Sequence, residues 1–387
     1  MTCKIDKLVC YLLMIFTALY FAQSVIFGVG AIYSRLLLVI ILGGSAVYFI
    51  KVFLNRRYIT NTVKIWTVFL LVNTLFFIFT GDFNNISDFN IYKTVLLNFL
   101  PFYAFYYFAK KKILTKKILL LFFAIALPLF IMQFIDSLTT LQIERNREDV
   151  VSNAIYIFIG LLPFAFFFKN KLLSVASLLL IWFFMVQSNK RAAIVAGIFA
   201  ILIFIYQTFF VSKFKYKIHT FFIGLFVLIG VTYVGIKVYE ENEFLQYRMK
   251  LAFSGDLSGR DRIIDTHFNT WYYSDSFSTL FFGLGYNSSS RLVDLAAHND
   301  WMDMLGSFGL FGLFIYLLLW YYVTNEIFTG NWDKNKKVIM ILYLGLSFMA
   351  SQFFRWYCSP FSFMNYMILP YLIANKNEPI FITNPSK

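Results

Sequence analysis

Three short polar segments combine basic residues with a histidine, and together they could handle an anionic leaving group and a proton. They are residues 188–191 (SNKR), 258–262 (SGRDR) and 298–300 (HND). Arginine presents a planar fork of donors that suits phosphate oxygens, so Arg191 and Arg260 are candidates for holding a diphosphate. Histidine can accept a proton from an attacking hydroxyl at neutral pH, which makes His298 a candidate base. This chemistry favours glycosyl transfer from a lipid-diphosphate donor, with no metal or other cofactor.

Each of these residues also has a structural interpretation. A histidine at a helix start often has a purely structural role, and Asn299 or Asp300 could be the N-cap of the following helix. Arg262 and Arg355 are weaker candidates for binding the diphosphate or sugars, and ordinary salt bridges are the alternative for both. Lys190 favours a simpler interpretation, an anchor at the lipid headgroups.

The composition places these segments in a membrane protein. The chain has 387 residues, of which 60% are hydrophobic and 14% are charged, whereas a soluble domain carries roughly 25% charged residues. The formal net charge is +14, but the basic residues cluster between apolar runs, which is typical of cytoplasmic loops and argues against nucleic acid as a partner. Cys3, Cys10 and Cys358 are too few and too scattered for a disulfide framework or a zinc site.

The apolar runs predict the elements that must position the polar segments. We expect an all-α polytopic membrane protein, a single transmembrane domain over 1–387, with about twelve spanning helices of ~20 residues each. The expected spans are 8–29, 32–54, 63–80, 93–109, 117–136, 151–168, 172–188, 192–211, 219–238, 302–323, 337–354 and 360–375. One large polar loop, 239–301, separates the ninth and tenth spans.

Basic residues in the short loops predict the orientation. Clusters near Lys51, Lys110, Lys169, Lys213 and Lys334 all fall on one side, which predicts that both termini are cytoplasmic. The loop 239–301 and all three polar segments then face outward. Because positive charge on that side opposes the orientation rule, we expect a functional reason for Arg191 in particular.

Several of these residues resemble a known signature. His298-Asn299, nine residues and then Gly309-Leu310-Phe311-Gly312 look like the outer-loop motif of the O-antigen polymerase and O-antigen ligase superfamily. Residues 188–193 resemble its Ser-Arg-small segment, although Asn189 and Lys190 here separate the serine from Arg191. Arg260, the helix bearing Trp271, and the Gly-x-Gly turn 282–286 resemble further parts of the pattern, in the expected order.

The resemblance implies a fold like that of the membrane-embedded C-type glycosyltransferases, with an inverting transfer at the periplasmic face of the bacterial inner membrane. The donor, and for a polymerase also the acceptor, would be a glycan on undecaprenyl diphosphate, and a chain-length regulator protein would be a candidate partner. Arg191 and Arg260 would hold the diphosphate and His298 would activate or position the acceptor hydroxyl. The remaining candidates for contacting substrate are Arg262, Arg355, Asn299, Asp300, Trp271 and Tyr286.

Two other functions remain open on the sequence. An O-antigen ligase, which moves the glycan to the lipid A core, shares the same histidine and arginine features. A transporter of lipid-linked glycans would place charges inside its spans, lining a central cavity, whereas here the polar residues concentrate in the outward loops. Of the three functions, the one predicted is an O-antigen polymerase, and the ligase and the transporter are kept as alternatives.

Overall fold

The computed structural model describes residues 2–28, 31–145, 150–211, 229–230, 233, 235–237, 239–253, 260–293, 298–359 and 361–380. All regular structure in this part of the chain is helical, as the composition predicts. The α-helices, in chain order, are α1 (Thr2–Phe21), α2 (Gln23–Ile26), α3 (Ile32–Phe53), α4 (Asn61–Thr80), α5 (Ile86–Phe99), α6 (Pro101–Lys110), α7 (Lys116–Arg145), α8 (Tyr156–Ile159), α9 (Lys171–Gln187), α10 (Arg191–Tyr206), α11 (Glu243–Phe253), α12 (Arg260–Tyr272), α13 (Phe277–Phe282), α14 (Ser288–Val293), α15 (Asp300–Asn325), α16 (Lys334–Phe353) and α17 (Leu369–Ala374).

Within the described residues, five helices are long and apolar enough to cross a membrane. They are α3, α4, α7, α15, and α10 together with the π-helical turn that continues it to Val211. Exposed Leu, Ile, Val and Phe side chains cover the outside of the helices, whereas the buried side chains form one continuous core. These features indicate a multi-pass membrane protein. The predicted ninth span, 219–238, lies largely outside the described residues.

The predicted spans 151–168 and 360–375 are not regular α-helices over most of their length. The segment expected at 151–168 consists of short 3₁₀ pieces around α8, and the segment expected at 360–375 is a π-helical turn, Met364–Ile368, followed by α17. Pro163 and Pro370 lie in these segments, and a proline removes one backbone donor. The two pieces touch inside the bundle, because a Cβ on Gly160 would lie 2.6 Å from the Phe363 ring. Irregular backbone at membrane depth is tolerated where protein covers it, as here.

Helix α15 is broken at Gly309, which has a left-handed backbone (φ 67°). The carbonyls of Gly306 and Ser307, at the break, accept hydrogen bonds from the backbone N–H groups of Leu284 (2.7 Å) and Gly285 (3.2 Å). The two glycine motifs of the sequence therefore meet each other. The partner that packs against Gly306 and Gly309 is the large loop.

The large loop is itself folded, with α11 to α14 lying within 239–301. Asp265, Phe268 and Trp271, which recur at helical spacing in the sequence, all belong to α12. Helices α12, α13 and α14 pack against α15, so the loop lies on the first half of that helix.

Replacing Gly309 with alanine tests the break. A Cβ there would lie 2.4 Å from the Phe281 carbonyl oxygen, in a left-handed conformation that alanine rarely adopts. We expect the Gly309→Ala protein to lose ~1–3 kcal/mol of stability, measured as a lower thermal unfolding midpoint in detergent. Gly43→Ala is the matched control: no atom lies within 4 Å of its added Cβ, and a helical Gly→Ala change stabilises by up to ~1 kcal/mol. Equal midpoints for the two variants would contradict the role assigned to the break.

Candidate functional site

A cavity of about 740 Å³ opens between segments that are distant in the sequence. All of them lie on the side that the basic-residue pattern predicts to face outward. The described lining residues are Ile86, Ser87, Asn90, Ile91, Thr94, Asn153, Tyr156, Lys190, His298, Phe354, Arg355 and Cys358. Lysine, histidine and arginine line this cavity, and no carboxylate is among its described lining residues, so it suits an anionic ligand.

His298 lies at the mouth of the cavity, directly before α15. Its backbone is left-handed (φ 50°) and its side chain is exposed. Asn299 is the N-cap of α15: its Oδ1 accepts a hydrogen bond from the Met302 N–H at 3.1 Å. The cap therefore fixes where α15 begins, and with it the position of His298 immediately before the helix. The left-handed backbone of His298 presents its imidazole to the cavity.

Asp300 lies behind this surface and is completely buried. Its Oδ2 accepts hydrogen bonds from the Tyr316 hydroxyl at 2.7 Å and from the backbone N–H groups of Trp356 at 2.9 Å and Tyr357 at 3.4 Å. Asp300 thus ties the start of α15 to the turn after α16. In this structure its carboxylate faces protein, and its described contacts are those of a positioning residue.

Arg355 lies in that turn, in a left-handed conformation (φ 74°) and only 6% exposed. Its Nη2 forms an ion pair with Asp303 Oδ2 at 3.0 Å and donates to Ser289 Oγ at 3.0 Å. Burial, the largest single influence, lowers the pKa of this guanidinium, but the surrounding acidic groups, Asp303 foremost, together raise it, so the group is a permanent cation. Its buried Nε has no hydrogen-bond partner among the described residues.

The segment 188–191 reaches the cavity through Lys190. Asn189 has a left-handed backbone (φ 54°), and its side chain donates to the Val150 carbonyl and accepts from Asn242. This turn places Lys190 in the cavity wall, with its ammonium 5.4 Å from the Tyr156 ring centre. Arg191 is the first residue of α10 and is half-buried, and it is not among the described lining residues.

The other predicted site residues are not among the described residues that line the cavity. Arg260 begins α12, and its side chain lies outside the described part of the structure; Arg262 is exposed on the same helix. Trp271 is 7% exposed and its indole N–H donates to the Leu280 carbonyl at 3.2 Å, which joins α12 to α13. Tyr286 is buried between the rings of Phe77 and Phe308. The structure therefore brings together His298, Arg355 and Lys190 and gives Trp271 and Tyr286 packing contacts.

Backbone strain is concentrated at this site. Four of the five non-glycine residues with positive φ in the described chain, Asn189, Asn287, His298 and Arg355, line the cavity or adjoin its wall. Left-handed backbone at a non-glycine residue costs of the order of 1–3 kcal/mol and is often retained at functional sites.

Sequence reasoning missed Lys190 and the polar face of α5. Ser87, Asn90 and Thr94 recur at three- and four-residue spacing, which places them on one side of a helix, and all three line the cavity. That spacing was a signal in the sequence. The choice of Lys190 over Arg191 had no such signal, because it depends on the turn at Asn189.

His267 connects the large loop to this region. Its Nε2 lies 2.8 Å from Ser288 Oγ, which lies 3.0 Å from Ser307 Oγ on α15. The ring fills the space beside Gly306, where a Cβ would lie 2.1 Å from it. Burial lowers the pKa of His267, and the nearby Arg355 lowers it further, against a smaller upward effect of Asp303.

Searches against protein-family models and against curated proteins each return no match for this chain.

The buried ion pair can be tested by removing one partner. Asp303→Asn leaves the Arg355 cation buried without a counter-charge, which typically costs ~3–5 kcal/mol. Adding Arg355→Met should restore part of the loss in thermal stability because the unpaired charge is removed. Lys237→Met is the control, since its ion pair with Glu241 is exposed and worth little. A double variant that is no more stable than Asp303→Asn alone would exclude a buried unpaired charge as the cause.

His267 should make stability depend on pH. Its pKa in the folded protein lies below the ordinary 6.5, so the unfolded chain binds a proton more readily. The stabilisation is present above pH 6.5 and is lost as the pH falls, and unfolding midpoints should drop between pH 7.5 and 5.5. His267→Gln keeps a hydrogen-bonding group that does not titrate, so its midpoint should fall less. Parallel curves for the two proteins would contradict this assignment.

Proposed function

We propose that the protein is an O-antigen polymerase, a membrane-embedded glycosyltransferase that joins oligosaccharide repeat units carried on undecaprenyl diphosphate. The observation that carries the proposal is the cavity in which His298, Lys190 and Arg355 converge. Its cationic lining suits a diphosphate, and its exposed imidazole suits a hydroxyl acceptor. The resemblance of the His298-to-Gly312 segment to the polymerase and ligase motif supplies the substrate class.

In the proposed reaction a sugar hydroxyl of the acceptor attacks the anomeric carbon of the donor glycan. A new C–O bond forms as the bond between the sugar and the diphosphate breaks, with inversion at that carbon. The hydroxyl proton passes to His298, and undecaprenyl diphosphate leaves as an anion. The positive charges of Lys190, Arg355 and the neighbouring Arg191 stabilise this anion, so the chain's own cations do the work of a metal.

The proposed topology follows the charge pattern. Roughly twelve passes in the bacterial inner membrane, with both termini cytoplasmic, would turn the mouth of the cavity towards the periplasm. The donor and acceptor lipids would then approach from the outer leaflet. Arg260 remains a proposed contact for the diphosphate, and a chain-length regulator remains a proposed partner.

The function can be tested in a strain that lacks the protein. A polymerase defect leaves lipid A core carrying a single repeat unit. Full-length chains that accumulate on undecaprenyl diphosphate would identify a ligase instead. If lipid-linked repeat units accumulate on the cytoplasmic side, the protein is a transporter and the proposal is wrong.

Complementation of that strain tests the cavity. At equal expression, His298→Ala and Lys190→Met should each reduce long-chain polysaccharide strongly, by a factor of ~10²–10⁴ for a lost proton acceptor. The control variant Lys237→Met removes an exposed lysine that is not among the described lining residues of the cavity. It should restore normal chain length. His298→Gln separates two roles, because glutamine can orient a hydroxyl but cannot take its proton. Wild-type banding with both His298→Ala and Lys190→Met would place the reaction elsewhere.

A further inference from the structure

The large loop exposes a set of aromatic rings that the proposed reaction does not use. They are Phe268, Tyr272, Tyr273, Phe277, Phe281 and Phe282, here called the loop aromatic patch. Phe277 is 79% exposed and Tyr273 is 74% exposed. A patch of this kind on a folded loop marks a surface that meets protein or lipid.

The helices present these rings outward in an ordered way. Phe268 and Tyr272 are one turn apart on α12 and stack at 5.5 Å, and Phe277 and Phe281 are one turn apart on α13 and stack at 6.1 Å. Trp271 points inward and joins the two helices through the Leu280 carbonyl. The inner face of this pair of helices thus packs against the protein, whereas the rings of the loop aromatic patch are exposed beside polar residues such as Asn269 and Asp275. Helix α13, FSTLFF, carries no charged residue.

The contacts of α13 place it beside the ends of membrane-length helices. Phe281 and Phe282 lie 6.1 and 6.0 Å from Phe311 of α15. Phe311 in turn lies 6.5 Å from Phe76 of α4, one turn before that helix ends at Thr80. Both α4 and α15 are long and apolar enough to cross a membrane. Helix α13 is therefore level with the last turn of a membrane-length helix.

The patch continues an exposed apolar surface of α15. Leu310, Phe314 and Leu317 are exposed along one side of α15, at the spacing of a single helix face. Phe311, at the edge of that face, contacts the patch directly. Aromatic rings concentrate at the membrane interface, where they anchor a protein at headgroup depth.

We infer that α12 and α13 rest on the bilayer, with the loop aromatic patch inserted at the boundary between headgroups and acyl chains, ~5–10 Å deep. The occupant of the patch is the lipid of the same membrane that the helices cross. Insertion fixes the height of the large loop relative to the membrane surface, whichever reaction the cavity performs.

Fluorescent labels at matched positions test the inference. In a cysteine-free background (Cys3→Ser, Cys10→Ala, Cys358→Ser), an environment-sensitive dye is attached at Phe277→Cys, or at Asp265→Cys on the exposed polar side of α12. The full chain is reconstituted in vesicles of phosphatidylethanolamine and phosphatidylglycerol. At position 277 the dye should be quenched several-fold by lipids with a nitroxide near the headgroup and little by aqueous iodide. At position 265 the order should be reversed.

Other outcomes overturn the inference. If iodide quenches both labels equally, the patch faces water. If neither iodide nor nitroxide lipid quenches the label at 277, protein covers the patch, either a second copy of this chain or another partner.

A measurement on the unmodified protein keeps the inference testable if the cysteine-free protein does not fold. Hydroxyl-radical footprinting in lipid nanodiscs should leave Phe277 and Tyr273 unoxidised, although their rings are more exposed than that of Tyr247 in α11. Tyr247 should be oxidised. Oxidation of all three residues in proportion to their exposure would exclude a lipid cover.

Discussion

The buried contacts between the first turn of α15 and the turn after α16 hold the cavity together. Asp300 and Asp303, three residues apart on one helix, face the same turn and bind it differently. Asp300 accepts hydrogen bonds from the backbone N–H groups of Trp356 and Tyr357, and Asp303 forms an ion pair with the Arg355 guanidinium. Two carboxylates and one arginine are costly to bury, so the contacts must be nearly complete to persist. They hold Arg355 in a left-handed conformation and close one wall of the cavity.

The broken helix α15 extends this constraint to the large loop. A break in a membrane helix exposes backbone carbonyls, and lipid offers them no donor. Here Leu284 and Gly285 donate to the carbonyls of Gly306 and Ser307, and the approach is close enough that only glycine fits at Gly283 and Gly309. The loop is thus part of the transmembrane fold. The contacts among His267, Ser288 and Ser307 extend this attachment of the loop to α15 towards the cavity.

This arrangement links three levels of the molecule. Exposed apolar side chains keep the helices in lipid, and the contacts along α15 fix the large loop on these helices. The loop aromatic patch is proposed to set the height of the loop at the bilayer surface. The cavity lies among these fixed elements, with cations on its wall and the exposed imidazole of His298 at its mouth. For a reaction between two lipid-linked sugars, such a site would hold the charged leaving group at headgroup depth and leave the sugars in water.

Much of the membrane character followed from the sequence. Apolar runs predicted helices because lipid excludes other spanning structures, and polar residues in an apolar chain drew attention to 188–191 and 298–300. The helix bearing Trp271, expected from the resemblance, is present as α12. The irregular backbone of segments such as 151–168 could not be predicted in this way. A run of apolar residues has the same composition whether lipid or protein surrounds it.

Tertiary structure decided which of the candidate residues meet. Lys190 and Arg191 are adjacent in sequence and equal in charge, and only the left-handed turn at Asn189 places Lys190 in the cavity wall. Trp271 and Tyr286 were candidates for contacting substrate, yet both are buried, because neighbouring helices cover them. Residue type and spacing determined that an anion site with a histidine could exist on one side of the protein. Its members were decided by contacts between segments more than 250 residues apart, which local sequence patterns do not encode.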